Sequence, residues 1–172
     1  MLRFIFGLLI LIIIGVGFYL YSAPPAGGHE PLASTPKNAT YEIQEKQVTL
    51  TDGNSIVEDT PTSKTITAYF GNEAKGDLDG DGDEDSAFIL IQNGGGSGTF
   101  VYVVAALKDG EGYRGTNGIL LGDRVAPQST EIQDGKVIVN YADRKPDEPM
   151  AVQPSVGITL RAKIEGGRLV VE

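Results

Sequence analysis

From residue 41 onward, apolar and polar side chains alternate with a period of two, which is the pattern of β-strands rather than of helices. Two stretches, 86–92 and 99–107, are almost continuously apolar and are typical of buried strands. No stretch of this region shows the 3.6-residue period of an amphipathic helix. The predicted strands are 47–51, 64–70, 86–92, 99–107, 119–121, 130–133, 136–141, 158–165 and 168–171.

Turn-forming pairs separate several of these strands. The Asp-Gly pairs at 52–53 and 134–135 and the Gly-Gly pair at 166–167 tolerate the positive φ angles that tight hairpin turns require. A longer, proline-bearing loop occupies 142–155. Short strands joined in this way predict an all-β domain over residues 41–172, folded as an antiparallel sandwich or barrel of about eight or nine strands.

The N-terminal segment has a different composition. Residues 4–21 are 18 consecutive uncharged residues, and as a helix they would be about 27 Å long, close to the thickness of a bilayer core. Arg3 precedes this run, whereas the next basic residue is Lys37, and this asymmetry places the N-terminus in the cytoplasm. The pattern predicts a single transmembrane helix at 1–22 that anchors the chain in the lipid bilayer of the cell membrane, with the C-terminal domain periplasmic or extracellular.

A cleaved signal peptide is the alternative interpretation of this segment, and it would release a chain that starts near Ala23. The apolar run is longer than the usual core of about 7–15 residues, and Tyr21 occupies the position where a small residue normally precedes the cut, so the anchor is favoured. Residues 23–40 are rich in proline and poor in large apolar side chains, and they are predicted to form a linker. The single histidine, His29, lies in that linker and is not assigned a role.

Composition limits the chemistry that the domain can perform. The chain has a net charge of -9 and a pI near 4.6, so we expect no nucleic-acid partner, because no basic surface is available to neutralise phosphates. It has no cysteine, and its only histidine precedes the domain, which excludes Ser-His-Asp and Cys-His arrangements and the usual zinc sites there. No catalytic residue is therefore assigned, and whether the chain is an enzyme stays open.

The densest chemical signal is the sequence GDLDGDGDEDS at 76–86. Carboxylates so closely spaced repel one another unless they take up protons or share a cation, and oxygen ligands on a turn suit Ca²⁺ above all. Gly82 stands where such a loop turns sharply. The predicted calcium loop is 77–85, in which one residue contributes its backbone carbonyl (Asp83) and the others their carboxylates. The predicted ligands are Asp77, Asp79, Asp81, Asp83 and Asp85.

The loop differs from an EF-hand at its twelfth position. An EF-hand has a bidentate glutamate there, whereas this chain has Phe88, within a predicted strand. The pattern DxDxDGxxD followed by a strand, with Phe70 and Gly71 upstream, resembles the calcium loops of FG-GAP and integrin-type propeller repeats. Because the motif occurs once, the resemblance covers the loop and its flanks and does not predict a propeller.

A broader resemblance covers most of residues 64–172. The segments YFGNE (69–73), GSGTF (96–100), LGDR (121–124) and VNYADR (139–144), together with the aspartate loop, resemble those of a family of small bacterial membrane-anchored envelope proteins. The resemblance implies an envelope location and does not imply a particular activity.

Two Asp-Arg pairs follow predicted strands, at 123–124 and 143–144. They are interpreted as local ion pairs or loop anchors, with the lining of a binding groove as the alternative. The glycine-rich segment 94–98 lacks the Lys-Ser/Thr of a phosphate-binding loop and is interpreted as a hairpin loop.

Together these features predict a membrane-anchored extracytoplasmic β-domain that binds a structural Ca²⁺ ion. Its role is predicted to be binding or adhesion, or envelope maintenance, with an envelope protein or glycan as its partner. Two alternatives remain open. One is a calcium-dependent hydrolase acting on cell-wall glycan or peptide, and the other is a periplasmic inhibitor or chaperone-like binder.

Overall fold

The computed structural model describes residues 32–172, which form three antiparallel sheets. The predicted membrane anchor and most of the predicted linker lie outside these residues. Within residues 32–172, no helix is long and apolar enough to cross a membrane. The compact unit begins at Leu32, so the last part of the predicted linker packs with the domain.

The described chain contains one short 3₁₀ helix, Pro36–Asn38, and twelve strands. In chain order the strands are β1 (Thr40–Ile43), β2 (Lys46–Thr49), β3 (Asn54–Thr60), β4 (Ser63–Gly76), β5 (Asp85–Asn93), β6 (Phe100–Asp109), β7 (Gly112–Gly115), β8 (Ile119–Asp123), β9 (Ala126–Gln133), β10 (Lys136–Asp143), β11 (Val156–Glu165) and β12 (Arg168–Val171).

The sheets follow chain order closely. The largest has the order β3-β4-β5-β6-β7, and β8 pairs with β6 beside β7, so that β7 and β8 share one edge of that strand. The second sheet has the order β12-β11-β10-β9, and β1 and β2 form a separate hairpin. The all-β antiparallel architecture predicted from the alternating pattern is confirmed.

The six-stranded sheet is buried on both faces at its centre. On one face, Ala87 and Ile89 of β5 pack with residues of the four-stranded sheet such as Val137 and Val139. On the other face, Phe88 and Leu90 of β5 belong to a cluster with the β1–β2 hairpin. The domain therefore has three layers, which explains why β5 and β6 are continuously apolar rather than alternating.

The sequence predicted about eight or nine strands, fewer than the twelve observed in the described residues. The strands that were not predicted are β1, β3 and β7, and each lacks a clear sequence signal for a physical reason. β1 joins β2 through Gln44 and Glu45, which adopt positive φ (51° and 63°) although neither is a typical turn residue. β3 is exposed along almost its whole length, so no buried face imposes a pattern. β7 contains two glycines, and a Cβ at Gly115 would lie 2.3 Å from the carbonyl oxygen of Thr40, so the close approach of β1 requires glycine there.

Replacement of Phe88 tests the importance of the middle layer. Phe88 is fully buried, and its ring lies 5.6 Å from that of Tyr41 and 5.2 Å from that of Tyr69. We expect Phe88→Ala to lower the free energy of unfolding by about 3–5 kcal/mol. Ile56→Ala on β3, where the side chain is 62% exposed, should change it by less than about 0.5 kcal/mol. Urea denaturation measures both, and similar losses for the two variants would contradict the three-layer packing.

Candidate metal centre

The predicted calcium loop connects β4 to β5, two neighbouring antiparallel strands. The last pair of the ladder is Gly76 with Asp85, so the residues between them form the connection. Gly80 and Gly82 have φ angles of 84° and 90°, in the region that favours glycine, and they allow the chain to reverse within this short loop. Gly76 is also required by packing, because a Cβ there would lie 2.7 Å from Cγ2 of Ile132 on β9.

One apolar side chain anchors the loop in the protein core. Leu78 is only 4% exposed and belongs to the cluster between the two large sheets. Its neighbours in the chain, Asp77 and Asp79, are exposed. Burial of Leu78 therefore holds the backbone of the loop against the domain and leaves the carboxylates on either side of it directed outward.

Asp85 occupies the opposite environment, because it is fully buried. Its Oδ2 accepts a hydrogen bond of 2.8 Å from the amide of Leu78, and its Oδ1 accepts one of 2.8 Å from the amide of Lys108 at the end of β6. Burial raises the pKa of Asp85, although these two amides act in the opposite direction; the nearby carboxylates of Asp79 and Asp81 raise it further. An ionised Asp85 therefore requires additional positive charge to be fully stabilised.

Three of the five predicted ligands converge. One carboxylate oxygen each from Asp77, Asp79 and Asp85 lies within 4.8 Å of the others, and this cluster could hold a metal ion. Ca²⁺–oxygen distances of about 2.3–2.6 Å allow two ligands of one ion to be up to about 5 Å apart, so the spacing is compatible with Ca²⁺. Oxygen-only ligands of this kind select hard cations.

Asp81 lies outside this cluster of carboxylate oxygens, and the cluster does not test Asp83, which is predicted to bind through its backbone carbonyl. Oδ1 of Asp81 accepts a hydrogen bond of 2.8 Å from the amide of Asp83, and both side chains are exposed. The carboxylate of Asp77 has a similar role within the loop, since it accepts hydrogen bonds from the amides of Gly80 (2.7 Å) and Gly82 (3.1 Å). The aspartate side chains therefore stabilise the turn through hydrogen bonds to its backbone amides, and they also concentrate negative charge in it.

A polar network beside the loop was not found from the sequence. Glu73 on β4 accepts a hydrogen bond of 2.8 Å from Oγ of Ser86 and another of 2.8 Å from the hydroxyl of Tyr69. Partial burial opposes ionisation of Glu73, but the two hydrogen bonds and the Lys37 ammonium outweigh it and lower its pKa. Burial and the Glu73 carboxylate raise the pKa of Tyr69 to about 12.

This network braces the strands that carry the loop, because Ser86 directly follows Asp85 in β5. The pairing of β4 with β5 is irregular between Tyr69 and Ala74, and Glu73 compensates with side-chain bonds within and across the pair. Glu73 and Ser86 are thirteen positions apart in the sequence, and no sequence motif predicts their contact. The strand register alone brings them together.

Comparisons with known proteins do not assign this site. No family model, no curated protein and no solved structure matches the chain significantly.

Proposed function

We propose that this chain is a membrane-anchored, extracytoplasmic binding domain whose fold is stabilised by one Ca²⁺ ion in the aspartate loop. The convergence of Asp77, Asp79 and Asp85 on one point, from a loop between neighbouring strands, carries the proposal. Asp81, the carbonyl of Asp83 and water molecules would complete the six to eight oxygen ligands that Ca²⁺ takes.

Calcium is favoured over other cations by the ligand set. The cluster offers only carboxylates, which disfavours zinc and copper, and it sits on a loop rich in glycine. Mg²⁺ requires near-ideal octahedral geometry and gives up its water reluctantly, whereas Ca²⁺ accepts irregular arrangements. A dissociation constant of about 10⁻⁴–10⁻³ M would be sufficient outside the cell. The predicted anchor at 1–22 would place the domain there.

The position of the cluster supports a structural role for the metal. Asp85 connects the loop to β6 through the amide of Lys108, so an ion at its carboxylate would tie β4, β5 and β6 together. A groove of about 320 Å³ lies along β11, and its lining residues come from β10, β11 and the end of the chain, with none from the aspartate loop. A substrate bound in this groove would therefore not contact the aspartate loop.

Thermal denaturation of the full chain in detergent tests the proposal. At a free Ca²⁺ concentration 100 times its dissociation constant, binding should add about 2.7 kcal/mol and raise Tm by about 5–11 °C relative to protein in chelator. Asp79→Asn should abolish this increase, whereas Asp147→Asn, an exposed aspartate on the loop before β11, should retain it. Calorimetry should detect one bound Ca²⁺ and much weaker Mg²⁺ binding. Identical melting curves in calcium and in chelator would exclude a structural calcium ion.

The pH dependence of this increase provides a second test. In the metal-free protein the raised pKa of Asp85 favours its protonated form, so this residue's contribution to stability is present at low pH and is lost as pH rises through the folded pKa. Calcium requires the ionised form and has the opposite dependence. The calcium-induced rise in Tm should therefore be full at neutral pH and should decrease as the pH falls into the range where carboxylates take up protons, about 4. A rise in Tm that persists unchanged below pH 4 would contradict carboxylate ligation by Asp85.

Fractionation tests the membrane anchor. The full chain should remain in the membrane pellet after alkaline washing, because an apolar helix resists extraction that removes peripheral proteins. A variant without residues 1–22 should be recovered in the soluble fraction. A soluble product of the full-length gene that starts near Ala23 would instead identify the segment as a cleaved signal peptide.

A further inference from the structure

The loop that follows β5 contributes to a second candidate site, which is separate from the aspartate loop. We propose that the loops that meet at Arg124 form a binding site for a carboxylate group of a ligand. The glycine-rich connection between β5 and β6, the β8–β9 connection and the loop before β11 converge there. Nine residues of β5 separate this site from the aspartate loop, a distance of about 30 Å.

The backbone of Arg124 is held by hydrogen bonds from two other loops. Its amide donates to the carbonyl of Thr99 at 2.7 Å, and its carbonyl accepts from Nη1 of Arg144 at 3.0 Å. Arg144 also donates from Nε to the carbonyl of Val152 at 2.6 Å. Arg124 has a φ of 52°, a conformation that is uncommon outside glycine, asparagine and aspartate, so these contacts fix an unfavourable backbone in place.

The side chain of Arg124, by contrast, lacks hydrogen-bond partners. Nε is buried and makes no hydrogen bond, and the described part of the chain supplies no hydrogen bond to the rest of the guanidinium. Oδ1 of Asp123 lies 3.4 Å from Nε, but that oxygen accepts a hydrogen bond of 2.7 Å from the amide of Thr99. The Asp123 carboxylate therefore compensates part of the charge beside Nε, whereas the two Nη nitrogens of Arg124 have no acceptor in the described part of the chain.

The two arginines at this site therefore have different roles. Arg144 uses its donors on main-chain carbonyls and positions the loops. Arg124 is 32% exposed; because its Nε is buried, the donors that a ligand can reach are its two Nη nitrogens, which make no hydrogen bond in the described part of the chain. A guanidinium in this state binds a carboxylate or phosphate through two parallel hydrogen bonds.

The charges around the site favour a carboxylate over phosphate. Asp123 faces Arg124 directly, and Asp143 lies close by, since its Oδ2 would be 3.8 Å from a Cβ at Gly122. These acids repel a dianion more strongly than a monoanion. Acidic side chains or chain ends of an envelope peptide, and carboxylated sugars, present such a group.

Titration of the calcium-free full chain with sodium acetate, followed by ¹H–¹⁵N NMR in detergent after calcium and chelator have been removed by dialysis, tests the proposal. The Nε–Hε signal of Arg124 and the amide signals of Thr99 and Arg124 should shift and saturate at millimolar acetate. Phosphate at neutral pH should produce weaker binding. The absence of calcium makes the result independent of the metal, so failure here would leave the calcium proposal untouched.

Four variants define the site. Arg124→Gln should abolish the saturable shift, and Arg124→Lys, which keeps the charge but not the planar donors, should weaken binding about tenfold. Asp123→Asn retains an acceptor for the amide of Thr99 and should tighten binding. Arg161→Gln, at an exposed arginine on β11, is the matched control and should leave binding unchanged.

Two results would overturn the proposal. One is an absence of saturable shifts in the wild-type chain, and the other is an equal loss of binding in Arg124→Gln and Arg161→Gln. The amide spectrum of each variant shows whether it is folded. If Arg124→Gln is not folded, Arg124→Lys decides: unchanged affinity for acetate in that variant would contradict the assignment.

Discussion

The burial of β5 and β6 on both faces is the constraint on which the rest of this structure depends. Alternate residues of β5, such as Ala87 and Phe88, enter different apolar clusters, so neither face of the strand can be left to solvent. The four-stranded sheet covers one face, and the β1–β2 hairpin, with the residues just before it, covers the other. Each layer on its own would expose a broad apolar surface, so the three layers stabilise one another.

Burial of β5 on both faces also determines which part of the aspartate loop is buried. Asp85 is the first residue of β5 and is drawn into the interior with the strand, while the rest of the loop stays at the surface. The amides of Leu78 and Lys108 satisfy both of its oxygens, yet its pKa remains raised because burial and neighbouring acids disfavour its charge. A cation beside Asp85 would offset both the desolvation of its charge and the repulsion from the neighbouring acids, which is consistent with the structural role proposed for the metal.

The two ends of β5 therefore have opposite electrostatic environments. Before β5, the aspartate loop contains more carboxylate charge than its backbone amides can stabilise. At the end of β5, the loops gathered around Arg124 leave a guanidinium with more donors than acceptors. The proposed cation would offset the first imbalance and the proposed carboxylate ligand the second, and both candidate sites lie on loops connected to the central strands.

Much of this protein could be determined from the sequence because strands and turns leave local signals. The apolar runs at 86–92 and 99–107 correspond closely to β5 and β6, and the Asp-Gly and Gly-Gly pairs form the turns at 134–135 and 166–167. The spacing of the aspartates also identified the candidate metal loop, because ligands carried by one short turn are adjacent in sequence. β3 and β7 gave no such signal, since one is exposed and the other is glycine-rich.

The tertiary structure alone decided which aspartates converge and what surrounds them. Asp77, Asp79 and Asp85 form the cluster, while Asp81 lies apart from it although it fits the same spacing. Strand register brings Ser86 to Glu73, and loop contacts bring Thr99 and Arg144 to the backbone of Arg124. Sequence periodicity reports which face of a strand is buried, whereas burial of an individual charge and the pairing of its hydrogen bonds depend on how the layers pack.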